Sequence, residues 1–301
     1  MREFITPDFL ALGVLTYDVT PEPGNPHGRV RPGGAATFSA LCAQALGLNV
    51  AVVASAAADY PVDSVLPGIE VLIIESEFTT FFQNVYSDDG ERTQVLGARS
   101  SSISRSDIPD EWLNAPIVFL GPLVQELPTD AVHWFTNAVV GAAVQGWLRR
   151  WDDYGRVTEE GGPYPELASG YRLLAGSTTE FHESDPGEME GWMNYTDILG
   201  VTCGSDGSRI YTGGDPAHVP AYAAEELDPT GAGDIWGASC LVRLAEGADP
   251  VEAAGFANAA ASLSVEREGL IGVPTRSEIE ARLIRGRQIP DATPRPVKSR
   301  L

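Results

Sequence analysis

Short apolar runs at 9–14, 50–55, 117–121, 139–144, 171–175 and 198–202 punctuate the chain, mostly with helical patterns between them. The helical patterns fall at 35–46, 129–137, 234–245 and 250–265. Strand and helix in alternation demand parallel βαβ units: a central, mostly parallel sheet with helices on both faces. The expected class is α/β, a three-layer sandwich. No repeat or low-complexity tract interrupts it.

Two segments break the rhythm. Residues 18–32 are rich in Pro and Gly and end in Gly28-Arg29-Val30-Arg31. Residues 79–96 alternate polar and apolar around Asp88-Asp89-Gly90, a hairpin signal. They are expected to form a small β-lid from about 18–32 and 78–97 on a main domain of 1–285. Ordinary surface hairpins are the alternative. Residues 286–301, with three prolines, three arginines and Lys298, read as a tail.

Composition narrows the function. Asp plus Glu number 42 against 20 Lys plus Arg, a net charge of −22. Such a surface repels nucleic acid and anionic lipid, so neither is an expected partner. An anionic substrate needs a local cation or backbone N–H site. Cys42, Cys203 and Cys240 form no CxxC, and His27, His133, His182 and His218 form no HxxxH, so no zinc site is expected. The apolar run at 9–15 is too short to span a bilayer, and the reading is a soluble, cytoplasmic chain. Lys298 is the only lysine. That excludes a Walker A loop and a protein-kinase fold, both of which need a lysine on the phosphates.

Asp228-Pro-Thr-Gly-Ala-Gly-Asp234 stands directly before an Ala-rich helical pattern. Glycines allow a tight turn, and the first amides of a helix make an anion site without lysine. Asp234 falls in the first turn. It is either a residue answering the helix dipole or a general base beside a bound phosphoryl group. Gly231, Gly233 and Gly237 nearly spell a dinucleotide-binding fingerprint. A poor strand precedes them, though, and a helix start at Asp249-Pro250 follows where a second strand is required.

The run 227–247, the helix after it and Gly269 together resemble the C-terminal signature of the ribokinase-like (PfkB) carbohydrate kinases, D-T-x-G-A-G-D. The N-terminal signature is similar too: Gly33-Gly34 opens a helix that ends at Leu46-Gly47, and Gly13 precedes Asp18 by five residues. Thr202-Cys-Gly204-Ser-Asp-Gly207 resembles the family's strand–turn beside the nucleotide. Gly33-Gly-Ala-Ala-Thr-Phe38 and Val144-Gln145-Gly-Trp-Leu-Arg149 are similar to the myo-inositol kinase branch.

The resemblance implies an ATP-dependent kinase acting on a hydroxyl of a sugar or polyol, with an inositol-like substrate favoured. Asp234 would be the base, and Gly231, Ala232 and Gly233 would donate the anion-hole amides. Asp18, Gly33, Gly34, Thr37, Phe38, Arg92, Gln145 and Arg149 would meet the substrate. Thr202, Gly204, Gly207 and Asn258 would border ATP. Glu180 would organise Mg²⁺ through water, and a monovalent cation beside the anion hole is known in some relatives. The chain would act as a monomer or homodimer. Departures from the pattern are Pro229 inside the signature, Ser177 for the usual Asn of the magnesium motif, and Phe38 for a sugar-binding Asn. They keep open a catalytically silent sugar sensor on the same fold; a nucleoside kinase is a further alternative.

Overall fold

The computed structural model describes residues 5–22, 25–86, 92–160, 162, 167–182 and 185–289. In chain order its strands are β1 (Phe9–Val14), β2 (Thr16–Glu22), β3 (Asn25–Gly33), β4 (Val50–Ala56), β5 (Glu70–Glu75), β6 (Thr80–Tyr86), β7 (Arg92–Ala98) and β8 (Ile117–Leu120). They continue with β9 (Val139–Ala143), β10 (Arg149–Trp151), β11 (Val157–Glu159), β12 (Tyr171–Ser177), β13 (Thr196–Thr202), β14 (Ser208–Tyr211) and β15 (Ala217–Val219). The helices are α1 (Ala35–Ala45), α2 (Val62–Val65), α3 (Gln145–Leu148), α4 (Pro186–Trp192), α5 (Ala232–Ala245), α6 (Pro250–Ser264) and α7 (Arg276–Arg285).

The large sheet runs β15-β14-β13-β12-β9-β8-β1-β4-β5. It is parallel from β13 to β5, and β14 and β15 add an antiparallel edge. Alternate residues of each strand feed opposite cores, as a pleated strand requires. Phe9, Ala11, Phe119 and Leu173 pack with side chains of α1, α5, α6 and α7. Leu10, Leu12, Val118 and Leu174 pack on the other side.

On that second side the helices are short, and one expected helix is missing. The 129–137 segment makes a single 3₁₀ turn, Ala131–Trp134, and α4 has seven residues. Wide rings cover the sheet there: Trp112, Trp147, Tyr171, Phe181 and Trp192 are buried. Phe181 meets Trp192 edge-on at 5.1 Å, and Trp147 meets Tyr171 at 5.8 Å. A buried aromatic ring removes about 150–250 Å² from water, so a few replace a helix as cover.

The lid is a four-stranded sheet in the order β3-β2-β6-β7. Two antiparallel hairpins join through a parallel β2–β6 pair. The Asp88-Asp89-Gly90 turn lies outside the described residues. The β10–β11 ribbon extends the lid edge, with the Leu96 N–H donating to Gly155 O at 2.7 Å. Glu126, 2% exposed, braces the junction of lid and body by accepting the N–H groups of Val14, Leu123 and Val124. At the C-terminal end, residues 286–289 run beside 221–223, while Lys298 lies outside the described residues. Among the described residues no helix is long and apolar enough to cross a membrane.

Helix α5 is seated by glycines on the sheet. A Cβ at Gly200 of β13 would lie 2.4 Å from the Trp236 ring. Gly200→Ala is therefore expected to lower stability by about 1–3 kcal/mol, read from denaturant unfolding. An unchanged midpoint would mean that α5 is not held by this contact.

Candidate active site

A cavity of about 770 Å³ lies between the lid and the C-terminal ends of β9, β12 and β13, lined there by Ala143, Ser177 and Thr202. Ligand sites of open α/β sheets occupy this crevice. At its wall stands the head of α5. Gly231 caps the helix in the left-handed conformation (φ 77°), and a Cβ there would lie 2.4 Å from the Phe38 ring. Glycine is thus required twice, by backbone angle and by contact. Phe38 is 2% exposed and packs against the turn.

The Ala232 N–H turns back to Pro229 O at 3.2 Å, a correction to its expected place among the anion donors. Gly233 and Asp234 line the cavity, and their amides belong to the first helical turn, which lacks acceptors one turn back. A Cβ at Gly233 would meet nothing within 4 Å. The space above that residue is open, which fits a phosphoryl-sized group.

Asp234 carries the strongest electrostatic perturbation in the cavity. Desolvation is the main cause, and the Glu180 and Asp18 carboxylates add to it while Arg149 opposes them. The net effect pushes its pKa up to about 7. A base poised near neutrality is suited to taking a proton from an alcohol.

Asp18, on β2, lies over Gly33: a Cβ there would be 2.7 Å from its Oδ2. Gly34 caps α1 with φ 106°, and its Cβ position is blocked by Val14 O at 2.7 Å. Gln145 opens α3 at the strand end. Arg149 is buried and sits over the Phe82 ring of the lid at 5.0 Å, a cation–π contact joining lid to body. Glu180 folds back to accept the Ser177 N–H while still facing the cavity.

The structure thus brings Asp18, Gly34, Phe38, Gln145, Arg149, Glu180, Thr202, Gly231, Gly233 and Asp234 to one cavity. Others stand outside its lining. Thr37 is buried and its hydroxyl donates to Gly33 O. Gly204 and Gly207 shape the turn after β13. Asn258 is 5% exposed and its amide serves packing: Oδ1 accepts from Trp236 Nε1 at 2.8 Å, and Nδ2 donates to Val219 O at 2.9 Å. The Arg92 side chain lies outside the described residues.

Sequence reasoning missed Arg29, Arg31, Asn84 and Gln94, all of which line the cavity. The alternation Arg29-Val30-Arg31 was the available signal, since it sends both arginines to one face of β3. No group of three or more His, Cys, Asp or Glu side chains converges to cage a metal among the described residues. The carboxylates of Asp18, Glu180 and Asp234 line the cavity, and carboxylate oxygen is the donor chemistry that a hard cation takes.

Comparison with known proteins agrees with this geometry. Residues 192–276 match the model of the pfkB family carbohydrate kinases. The ribokinase of Bacillus subtilis is 45% identical over 87 residues, 29% of this chain and 30% of that protein. The bifunctional protein HldE of Azorhizobium caulinodans is 30% identical over 303 residues, 88% of this chain and 59% of its own length. The alignments to these two relatives therefore span less than two thirds of their lengths. An inositol 3-kinase of Oryza sativa is 25% identical over 284 residues, 88% of this chain and 69% of that protein. Arabidopsis thaliana ribokinase complexed with ribose and ATP superposes with a TM-score of 0.72 at 22% identity, covering 93% of this chain and 99% of that one. A pyrophosphate-dependent kinase of the ribokinase family, complexed with a pyrophosphate analog and myo-inositol, gives 0.72 at 20% identity over 91% and 99% of the two chains. The chain thus has the ribokinase-like fold and carries, over residues 192–276, a segment that matches the pfkB family of carbohydrate kinases.

Proposed function

We propose that this protein transfers the γ-phosphoryl group of ATP to a hydroxyl of a small polyol or sugar, with an inositol-like cyclitol as the preferred acceptor. The observation that carries the reading is the shared cavity of Asp234 and Asp18, with the open Gly233 turn at the head of α5. Similarity to inositol 3-kinase and the Gln145–Arg149 strand end support the choice of acceptor.

Asp18 accepts hydrogen bonds from acceptor hydroxyls above the Gly33–Gly34 turn. Asp234 takes the proton of the hydroxyl that attacks. The new O–P bond forms as the bond to the β-phosphate oxygen breaks, and ADP leaves with that electron pair. The amides of Gly233 and Asp234, aided by the helix dipole, hold the charge that builds on the transferring group. Mg²⁺, held by Glu180 through water, would offset phosphate charge, which matters more in a chain of net charge −22. The lid covers the cavity and excludes water that would otherwise compete as acceptor.

A second donor has a specific observation behind it. Neither α6 nor β15 contributes to the cavity lining, and Asn258 is buried in packing. The anion site alone can take pyrophosphate, so both donors belong in the assay.

Asp234→Asn is expected to cut turnover by about 10²–10⁴-fold with the fold intact. Turnover within a few-fold of the unaltered protein would overturn the assignment. The pH–rate profile of kcat/KM is expected to fall on the acid side of about 7, where Asp234 gains its proton.

Stability moves the other way. The Asp234 pKa rises on folding from 3.8 to about 7, so its ionised form opposes the fold. The penalty is absent below the unfolded value and complete above the folded one. Asp234→Asn should therefore raise Tm at pH 8 and leave it nearly unchanged at pH 4. Equal effects at both pH values would contradict the buried, mutually repelling acids.

A further inference from the structure

We infer that Arg31 is a positioning residue for phosphoryl transfer: through Asp228 it ties the lid to the anion-hole turn, so that the turn takes its shape when the lid is docked. The inference rests on the kinase reading for its chemistry and on geometry for the coupling.

Arg31 lies on the lid strand β3, directly across from Asp18 of β2. Its guanidinium reaches out of the lid to Asp228, with Nη1 at 2.7 Å from Oδ2. Asp228 is 7% exposed and stands three residues before Gly231. Its Oδ1 accepts the Thr230 N–H at 3.0 Å, and Oδ2 also accepts the Gly269 N–H at 3.0 Å. One carboxylate thereby fixes the entry to the Gly231 turn, the loop after α6, and the lid. Glu268 reinforces the seam by pairing with Arg29 at 3.0 Å and Arg31 at 3.5 Å.

An exposed ion pair contributes little, and the Arg29–Glu268 pair is of that kind. Asp228 differs because it is mostly buried and bound to backbone amides. Burial alone would raise its pKa, but the Thr230 and Gly269 hydrogen bonds and the Arg31 charge outweigh that and hold it below the ordinary value. Without Arg31 this mostly buried carboxylate would keep only its amide hydrogen bonds, beside the place where the phosphoryl group of the proposed reaction sits.

The test combines hydrogen exchange with kinetics on the full chain. In Arg31→Gln, peptides covering β3 and residues 227–236 are both expected to exchange faster. kcat should fall by at least about tenfold while the acceptor KM moves by less than about threefold, since a small misplacement of the turn is felt in the transition state. Arg31→Lys should recover most of both effects. Faster exchange confined to β3, or an unchanged kcat in Arg31→Gln, would each overturn the inference. If no acceptor is phosphorylated by the unaltered protein, the kinase reading fails, and exchange at 227–236 alone decides whether Arg31 holds the turn.

Discussion

The site depends on one turn: Gly231 in a left-handed conformation, wedged against Phe38, at the head of a helix buried on the sheet. The chain's only lysine lies at residue 298, so in the proposed reaction backbone amides and the helix dipole take the role that a phosphate-binding lysine has elsewhere. Amides are useful for this only if the turn is rigid. Trp236 against Gly200 seats α5 from below, and Phe38 braces the glycine from the side. A helix terminus held from two directions has little room to reorganise as charge develops.

Net negative charge sets the second constraint. Asp18, Glu180 and Asp234 face one cavity; desolvation first, and the two neighbouring carboxylates after it, raise the Asp234 pKa. In the proposed reaction that cost is kept because a neutral side chain there would not take a proton. Arg149, over Phe82 of the lid, opposes it, and Arg31 of the lid balances the neighbouring Asp228. Docking the lid and balancing the charge are therefore one event. A displaced lid would expose the cavity to water and remove the compensation together.

Much of this was legible in the sequence, for local reasons. The strands announced themselves as short apolar runs. Helix α6 was marked by Asp249, which accepts the Val251 and Glu252 amides, and by Pro250 in its first turn. The Gly231–Asp234 turn was readable because glycine spacing and helix onset are local signals. The unread parts are non-local. The parallel β2–β6 pair joins two hairpins distant in sequence, and no turn chemistry marks it. Arg31 finds Asp228 across 197 residues. The 129–137 pattern has helical spacing because buried residues in irregular segments can share it; Ala131, Val132 and Phe135 are buried there by a single 3₁₀ turn and its end. From the sequence Asn258 fits a nucleotide contact and a packing role equally, and its bonds to Trp236 and Val219 are of the packing kind.

The central claim is that this cavity moves a phosphoryl group onto an alcohol. Phosphorus NMR of the purified protein, with ATP–Mg²⁺ or pyrophosphate and a panel of cyclitols, sugars and nucleosides, tests it most directly. The account predicts a new phosphomonoester signal with one acceptor class, ADP or phosphate appearing in equal amount, and little donor consumption without acceptor. Donor bound without any phosphomonoester formed, or donor hydrolysed at the same rate with acceptor absent, would contradict it.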